Sequence, residues 1–133
     1  MNNLNWDASL SVQFDEIDDD HHKLVELFNL LSQSLATGES SAYINAVFIE
    51  LINFTAWHFS HEERLMIKYA YNELTEHKKE HQELLDSAKE LHQKFIHQGH
   101  KLSDQDIEFL EHWLTGHIFG ADMKLGIFLC ESV

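Results

Sequence analysis

Proline is absent from the 133-residue chain, and cysteine occurs once, at Cys130. With no proline and only 5 glycines, long stretches are free of helix breakers. A lone cysteine cannot close an intrachain disulfide, which fits a reducing compartment. Cations are also scarce: Lys and Arg total 9 against 23 Asp and Glu, for a formal charge of -14. That balance argues against a nucleic-acid partner, because a binder needs clustered cations to neutralise phosphates. An anionic membrane surface would repel the chain for the same reason. No apolar run approaches the length of a transmembrane helix, so no membrane insertion is expected. Residues Met1 to Asp7 lack the basic start and apolar stretch of a signal peptide. The composition, 44% hydrophobic and 24% charged, is that of an ordinary globule. The expectation is one acidic, cytoplasmic domain spanning residues 1–133.

Four segments carry the spacing of amphipathic helices. The first, about 18–37, has Leu24, Leu27, Phe28, Leu31 and Leu35 and ends at Gly38. The second, about 41–69, has Ile44, Val47, Phe48, Leu51, Phe54 and Leu65. The third, about 72–98, has Leu84, Leu85, Ala88, Leu91 and Phe95, with Gly99 as its C-terminal cap. The fourth, about 103–119, opens on Ser103 and carries Ile107, Leu110, Trp113 and Leu114. Short connections between them favour antiparallel neighbours, which predicts an all-α, up-down-up-down four-helix bundle. Residues 1–17 hold Trp6, Leu10, Val12, Phe14 and Ile17 without a clear period and are expected to form an N-terminal arm on the bundle.

Histidine is in excess, at 11 residues. Spacing alone says little, since His77 to His81, His22 to Glu26 and His58 to Glu62 are no more than chance supplies. Helical phase discriminates, because each residue advances about 100°. His77 and His81 share the face of Leu84, Ala88, Leu91 and Phe95. His58 and Glu62 lie on the line of Leu51, Phe54 and Leu65, and His117 continues the stripe of Leu110 and Trp113. His21 faces inward with Leu24 and Phe28, whereas His22 falls on the polar face of Glu26, Asn29 and Gln33. In an antiparallel bundle all four groups converge at one end. Asp122, five residues past His117, would point away on a straight helix, by about 140°; Gly120 between them offers a break or bend. The other histidines, His22, His61, His92, His97, His100 and His112, read as solvated.

Several imidazoles and a carboxylate buried together without a metal would be costly. Neutral imidazole and carboxylate suit divalent iron, zinc or manganese, and the donors outnumber what one tetrahedral site takes, so two metals are expected.

The ordered set Trp6, Ile17-Asp18-Asp19-Asp20-His21 with Leu24, His58-Phe59-Ser60-His61-Glu62-Glu63 with Met66, His77 and His81, and Trp113-Leu114 with His117-Ile118 and Asp122 resembles the hemerythrin family, specifically its single-domain bacterial members. The resemblance spans essentially the whole chain. It implies seven ligands to two non-haem irons: His21, His58, Glu62, His77, His81, His117 and Asp122. It makes Glu62 and Asp122 bridging carboxylates beside a hydroxo or oxo bridge, leaving one position for dioxygen as ligand. A donor set dominated by neutral imidazole implies reversible dioxygen binding for carriage, storage or delivery rather than turnover, with apolar Leu24, Trp113, Leu114 and Ile118 available to wall the pocket. The same metals could also serve a di-iron oxidase, peroxidase or nitric oxide reductase, or a sensor acting through a separate partner. Expected partners are dioxygen and, for delivery or sensing, an oxygen-consuming enzyme or a signalling protein; the chain is expected to be a monomer. It departs from the family's pattern at Asp20, where glutamine is frequent, and at Tyr71-Asn72, where proline is frequent.

Overall fold

The computed structural model describes residues 4–132; the first three residues of the expected arm, and Val133, lie outside the described residues. A short 3-10 turn, Ala8–Leu10, precedes α1 (Asp15–Thr37), α2 (Ser41–Lys68), α3 (Leu74–His97) and α4 (Asp104–His117). A π-helical turn (Ile118–Asp122) then leads directly into α5 (Met123–Ser132). Contacts run from α1 to α2, α2 to α3, α3 to α4 and α4 back to α1, the cycle of an up-down-up-down four-helix bundle.

Local chemistry fixes most helix ends. Gly38 stops α1 in the left-handed conformation, φ 72°, its N–H bonding Ser34 O. Ser40 caps α2 by accepting from Tyr43 N at 3.1 Å. Ser103 and Asp106 form a reciprocal capping box at the start of α4. Between α2 and α3 no proline is needed: Ala70 takes φ 56°, and Tyr71 N returns to Met66 O at 2.9 Å.

Two boundaries differ from the sequence expectation. Helix α1 begins at Asp15 and not near residue 18, so the arm ends at Phe14. Ile17 is fully buried four residues before His21 and belongs to the helix's inward stripe, while Asp15, Glu16 and Asp18 place negative charge at the positive end of the helix dipole. The fourth segment does not stop at Phe119. Gly120 neither ends nor breaks it; the backbone stays right-handed through the π turn and continues to Ser132, burying Leu125 and Leu129.

The bundle has two unlike ends. Phe28, Phe48, Phe95 and Leu110 are almost wholly buried at the end far from His21, with Phe48 and Phe95 ring centroids 5.8 Å apart. The other end buries a set of polar side chains among apolar ones such as Ile17, Met66 and Ile118. The arm lies along α1 and α5: Leu4 and Asn29 exchange two 2.7 Å hydrogen bonds, and Asp18 accepts from Val12 N and Ser11 Oγ at 2.8 and 2.6 Å. Buried Val12 presses so closely on Gly126 that a Cβ there would collide with its carbonyl oxygen and side chain. Nothing lies near the corresponding position of Gly116. Gly126→Ala is therefore expected to destabilise the chain by about 1–3 kcal/mol through overpacking. Gly116→Ala should stabilise it by about 0.4–1 kcal/mol. Chemical denaturation of both variants beside the parent checks this; equal effects would contradict the close approach of arm and helix.

Candidate metal centre

Each helix delivers its share of one polar cluster. His21 comes from α1, His58 and Glu62 from one face of α2, His77 and His81 from one face of α3, and His117 from the end of α4. Their i,i+4 spacings stack two donors on one side of a helix. Asp122 arrives by a different device. A turn closed by i→i+5 hydrogen bonds takes up one residue more than an α turn. Asp122 thereby falls close to where the fourth residue after His117 would stand, and it faces the cluster instead of pointing away. All seven side chains are buried, none more than 5% exposed.

The donors divide into two overlapping groups. Glu62, His77, His81, His117 and Asp122 form one; His21, His58, Glu62 and Asp122 form the other. The two carboxylates are common to both, and each splits its oxygens between them. Glu62 Oε1 lies 2.8 Å from His81 Nε2, 3.3 Å from His77 Nε2 and 3.6 Å from His117 Nε2. Its Oε2 faces His58 Nε2 at 3.4 Å and His21 Nε2 at 3.9 Å. Asp122 Oδ1 is 2.8 Å from His117 Nε2 and 3.1 Å from His77 Nε2, while Oδ2 is 2.7 Å from His21 Nε2 and 3.8 Å from His58 Nε2. Neighbouring donors on one ion, bonded at about 2.1 Å, stand about 3 Å apart, so these separations suit ligands converging on two ions. The chemistry agrees. His58 Nε2, His117 Nε2 and Glu62 Oε2 are buried close to atoms of opposite character but in no hydrogen-bonding geometry with them, a costly state that coordination would relieve. The residues therefore fit a two-metal centre, with three histidines on one side and two on the other.

A second ring of carboxylates supports the first. Asp20 Oδ2 lies 2.8 Å from His58 Nδ1, Glu63 Oε2 2.9 Å from His81 Nδ1, and Glu80 Oε1 3.1 Å from His117 Nδ1. Each acid is the sequence neighbour of a cluster residue yet serves a histidine on the next helix, so the support passes from α1 to α2, α2 to α3 and α3 to α4. Sequence reasoning missed all three; adjacency to a candidate ligand was the one available signal. It also took His61 for a solvated residue, whereas His61 is half-buried with Nδ1 2.6 Å from Asp20 Oδ2. Phe59 stacks on His81 with ring centroids 4.0 Å apart and planes 7° apart, fixing that ring's tilt. His22 stays out of the cluster, exposed and against Trp6.

Ionisation is strongly coupled here. Burial opposes the charge on His58 and His117, but the facing carboxylates outweigh it and hold both imidazoles well above their usual range. Burial likewise opposes the charge on Glu62, yet His58, His117 and His77 keep its carboxyl well below the usual range. For Asp122, burial and Glu62 are outweighed by His117 and His21 in the same direction. His77, despite burial, is pushed up to about 9 by Asp122 and Glu62.

Two predictions follow from this geometry. His77→Ala should lower bound metal per chain, and His22→Ala should leave it unchanged, by elemental analysis of the purified variants; equal losses would overturn the separation of the two. Raised histidines hold protons that a metal must displace, so metal uptake should release protons and strengthen as pH rises from about 6.5 towards about 9. By linkage, the protonated histidine–carboxylate pairs stabilise the metal-free chain fully below the unfolded histidine value, and that contribution is lost as pH rises through the folded one. A pH-stat during metal addition and denaturation of the stripped chain across that window measure both.

Comparison with known proteins agrees with the geometry. Residues 12–126 match the hemerythrin HHE cation binding domain. A hemerythrin-like protein of Naegleria gruberi is 34% identical over 121 residues, covering 91% of this chain and 89% of the relative. A myohemerythrin of Riftia pachyptila is 31% identical, covering 90% and 88%, and a bacteriohemerythrin of Stenotrophomonas maltophilia is 31% identical, covering 90% and 76%. The crystal structure of a wild-type hemerythrin superposes with a TM-score of 0.84 at 29% identity, over 96% of this chain and 98% of that one. With the bundle, the buried histidine–carboxylate cluster and these relatives in agreement, the chain belongs to the hemerythrin family.

Proposed function

We propose that the chain binds dioxygen reversibly at a non-haem di-iron centre held by His21, His58, Glu62, His77, His81, His117 and Asp122. The observation that carries this reading is the division of donors: two carboxylates shared oxygen by oxygen between a three-histidine group and a two-histidine group. When bound, the irons supply two electrons and an open coordination position for dioxygen. The protein's residues do the rest. Glu62 and Asp122 hold the two groups at one separation, and the uneven histidine count leaves the two-histidine side one donor short.

Apolar packing covers one flank of the centre. Leu24 and Leu114 are buried beside His117. An apolar cavity of about 10 Å³ beside His117 is lined by Leu24, Thr55, Phe59, Leu84, Trp113 and Leu114. That is at the lower edge of what a single water-sized molecule needs. A water there would find few partners, because the Thr55 hydroxyl already donates to Leu51 O at 2.7 Å and Trp113 Nε1 to Leu84 O at 2.8 Å.

Neutral imidazole outnumbers carboxylate by five to two among the proposed ligands, which donates less charge than a carboxylate-rich site and favours binding over oxidative turnover. No helix among the described residues is long and apolar enough to cross a membrane. Reducing the iron-loaded protein without oxygen, admitting air and then removing the oxygen should make a visible charge-transfer band appear and vanish over repeated cycles. Irreversible oxidation or consumption of peroxide would replace this reading with an enzymatic one.

A further inference from the structure

We propose that Asp20, backed by His61, is the positioning residue that sets His58 on the two-histidine side of the centre. The inference rests on the di-iron reading and assigns two residues that do not belong to the donor set. Asp20 sits on α1 immediately before His21, yet its carboxylate reaches across to α2 and not into the cluster. It is buried, at 6% exposed, and among the described residues its ion-pair partners are His58 and His61, both meeting the same oxygen, Oδ2, at 2.8 and 2.6 Å.

The two sides of the centre are supported unequally. On the three-histidine side His81 and His117 each lean on a carboxylate, Glu63 and Glu80, that is partly open to solvent. On the two-histidine side His21 Nδ1 has no hydrogen-bond partner among the described residues. Asp20 is therefore that side's one carboxylate support, and the most buried of the three. A hydrogen bond to a carboxylate strengthens as the local dielectric falls. Accepting from Nδ1–H selects the tautomer of His58 that leaves Nε2 free to coordinate, and it makes the ring a stronger donor.

His61 holds Asp20 in place. Its ring packs on Trp57, with centroids 5.1 Å apart, and its Nε2 reaches the exposed carboxylate of Glu16 at 3.1 Å. Fixed between two acids, its Nδ1 keeps Asp20 Oδ2 turned towards α2. Loss of either residue loosens His58 and, through it, one metal position of the two.

That selectivity provides the test. Iron-loaded wild-type protein and the variants Asp20→Ala, Asp20→Asn and His61→Ala are dialysed against a graded series of a ferrous chelator, and retained iron per chain is measured. Outer supports of this kind are worth about 10–100-fold in metal affinity. In Asp20→Ala the first iron should leave at about 10–100-fold lower chelator, with the second step unmoved. Asp20→Asn keeps an oxygen acceptor without the charge and should fall between wild type and Asp20→Ala. His61→Ala removes the contact that holds Asp20 but leaves Asp20 itself in place, and should shift the same step by less. Two irons held by wild type with an unshifted first step in Asp20→Ala would overturn the role of Asp20 alone, as would an equal shift of both steps, which marks general loosening. A wild-type chain that retains fewer than two irons overturns the di-iron reading itself.

Discussion

Two carboxylates taken wholly out of water, Glu62 and Asp122, set the terms for the rest of this protein. An isolated buried carboxylate is costly and ordinarily neutralises instead. Here five imidazoles surround the pair, and the opposing charges hold both acids ionised. Such an arrangement is tolerable only if every donor stands at one level and no helix slides. Removing any one partner would leave the others uncompensated in a low-dielectric interior.

The bundle meets that demand by dividing its length. The aromatic end, built on Phe28, Phe48 and Phe95, supplies apolar burial and locks the helices in register. The other end buries its polar groups among apolar ones. Between the two, Leu24, Phe59, Trp113 and Leu114 line an apolar flank beside His117. The arm contributes from outside, tying Asn29 and Asp18 of α1 to the chain's start and pressing Val12 onto Gly126 of α5. The helix that brings Asp122 inward is thus held beyond its own π turn.

Support for the site follows the same logic of neighbouring helices. Asp20, Glu63 and Glu80 each stand beside a cluster residue in sequence and reach a histidine on the following helix. Helix packing and donor orientation are coupled through these bonds, so a shift of one helix would turn a ring on the next. The support is heaviest where the histidines are most numerous, and it narrows to Asp20 on the side left short of a donor.

The helices were legible in the chain because the period of apolar residues, the glycine after α1 and the serines before α2 and α4 are local signals. Phase about each helix placed His21, His58, Glu62, His77, His81 and His117 inward and His22 outward, since 100° per residue holds wherever the backbone is regular. Where it is irregular, the sequence alone misplaced the chain. The inward turn of Asp122 and the continuation past Gly120 depend on a π turn, an arrangement of backbone hydrogen bonds that no side-chain pattern writes out. The early start of α1 was hidden behind an arm whose apolar residues follow no period. The sharing of each carboxylate's two oxygens, and the reach of Asp20 to both His58 and His61, were decided only by tertiary structure. They depend on distances between helices, and those are set by how whole helices pack together, not by any one segment's order of residues.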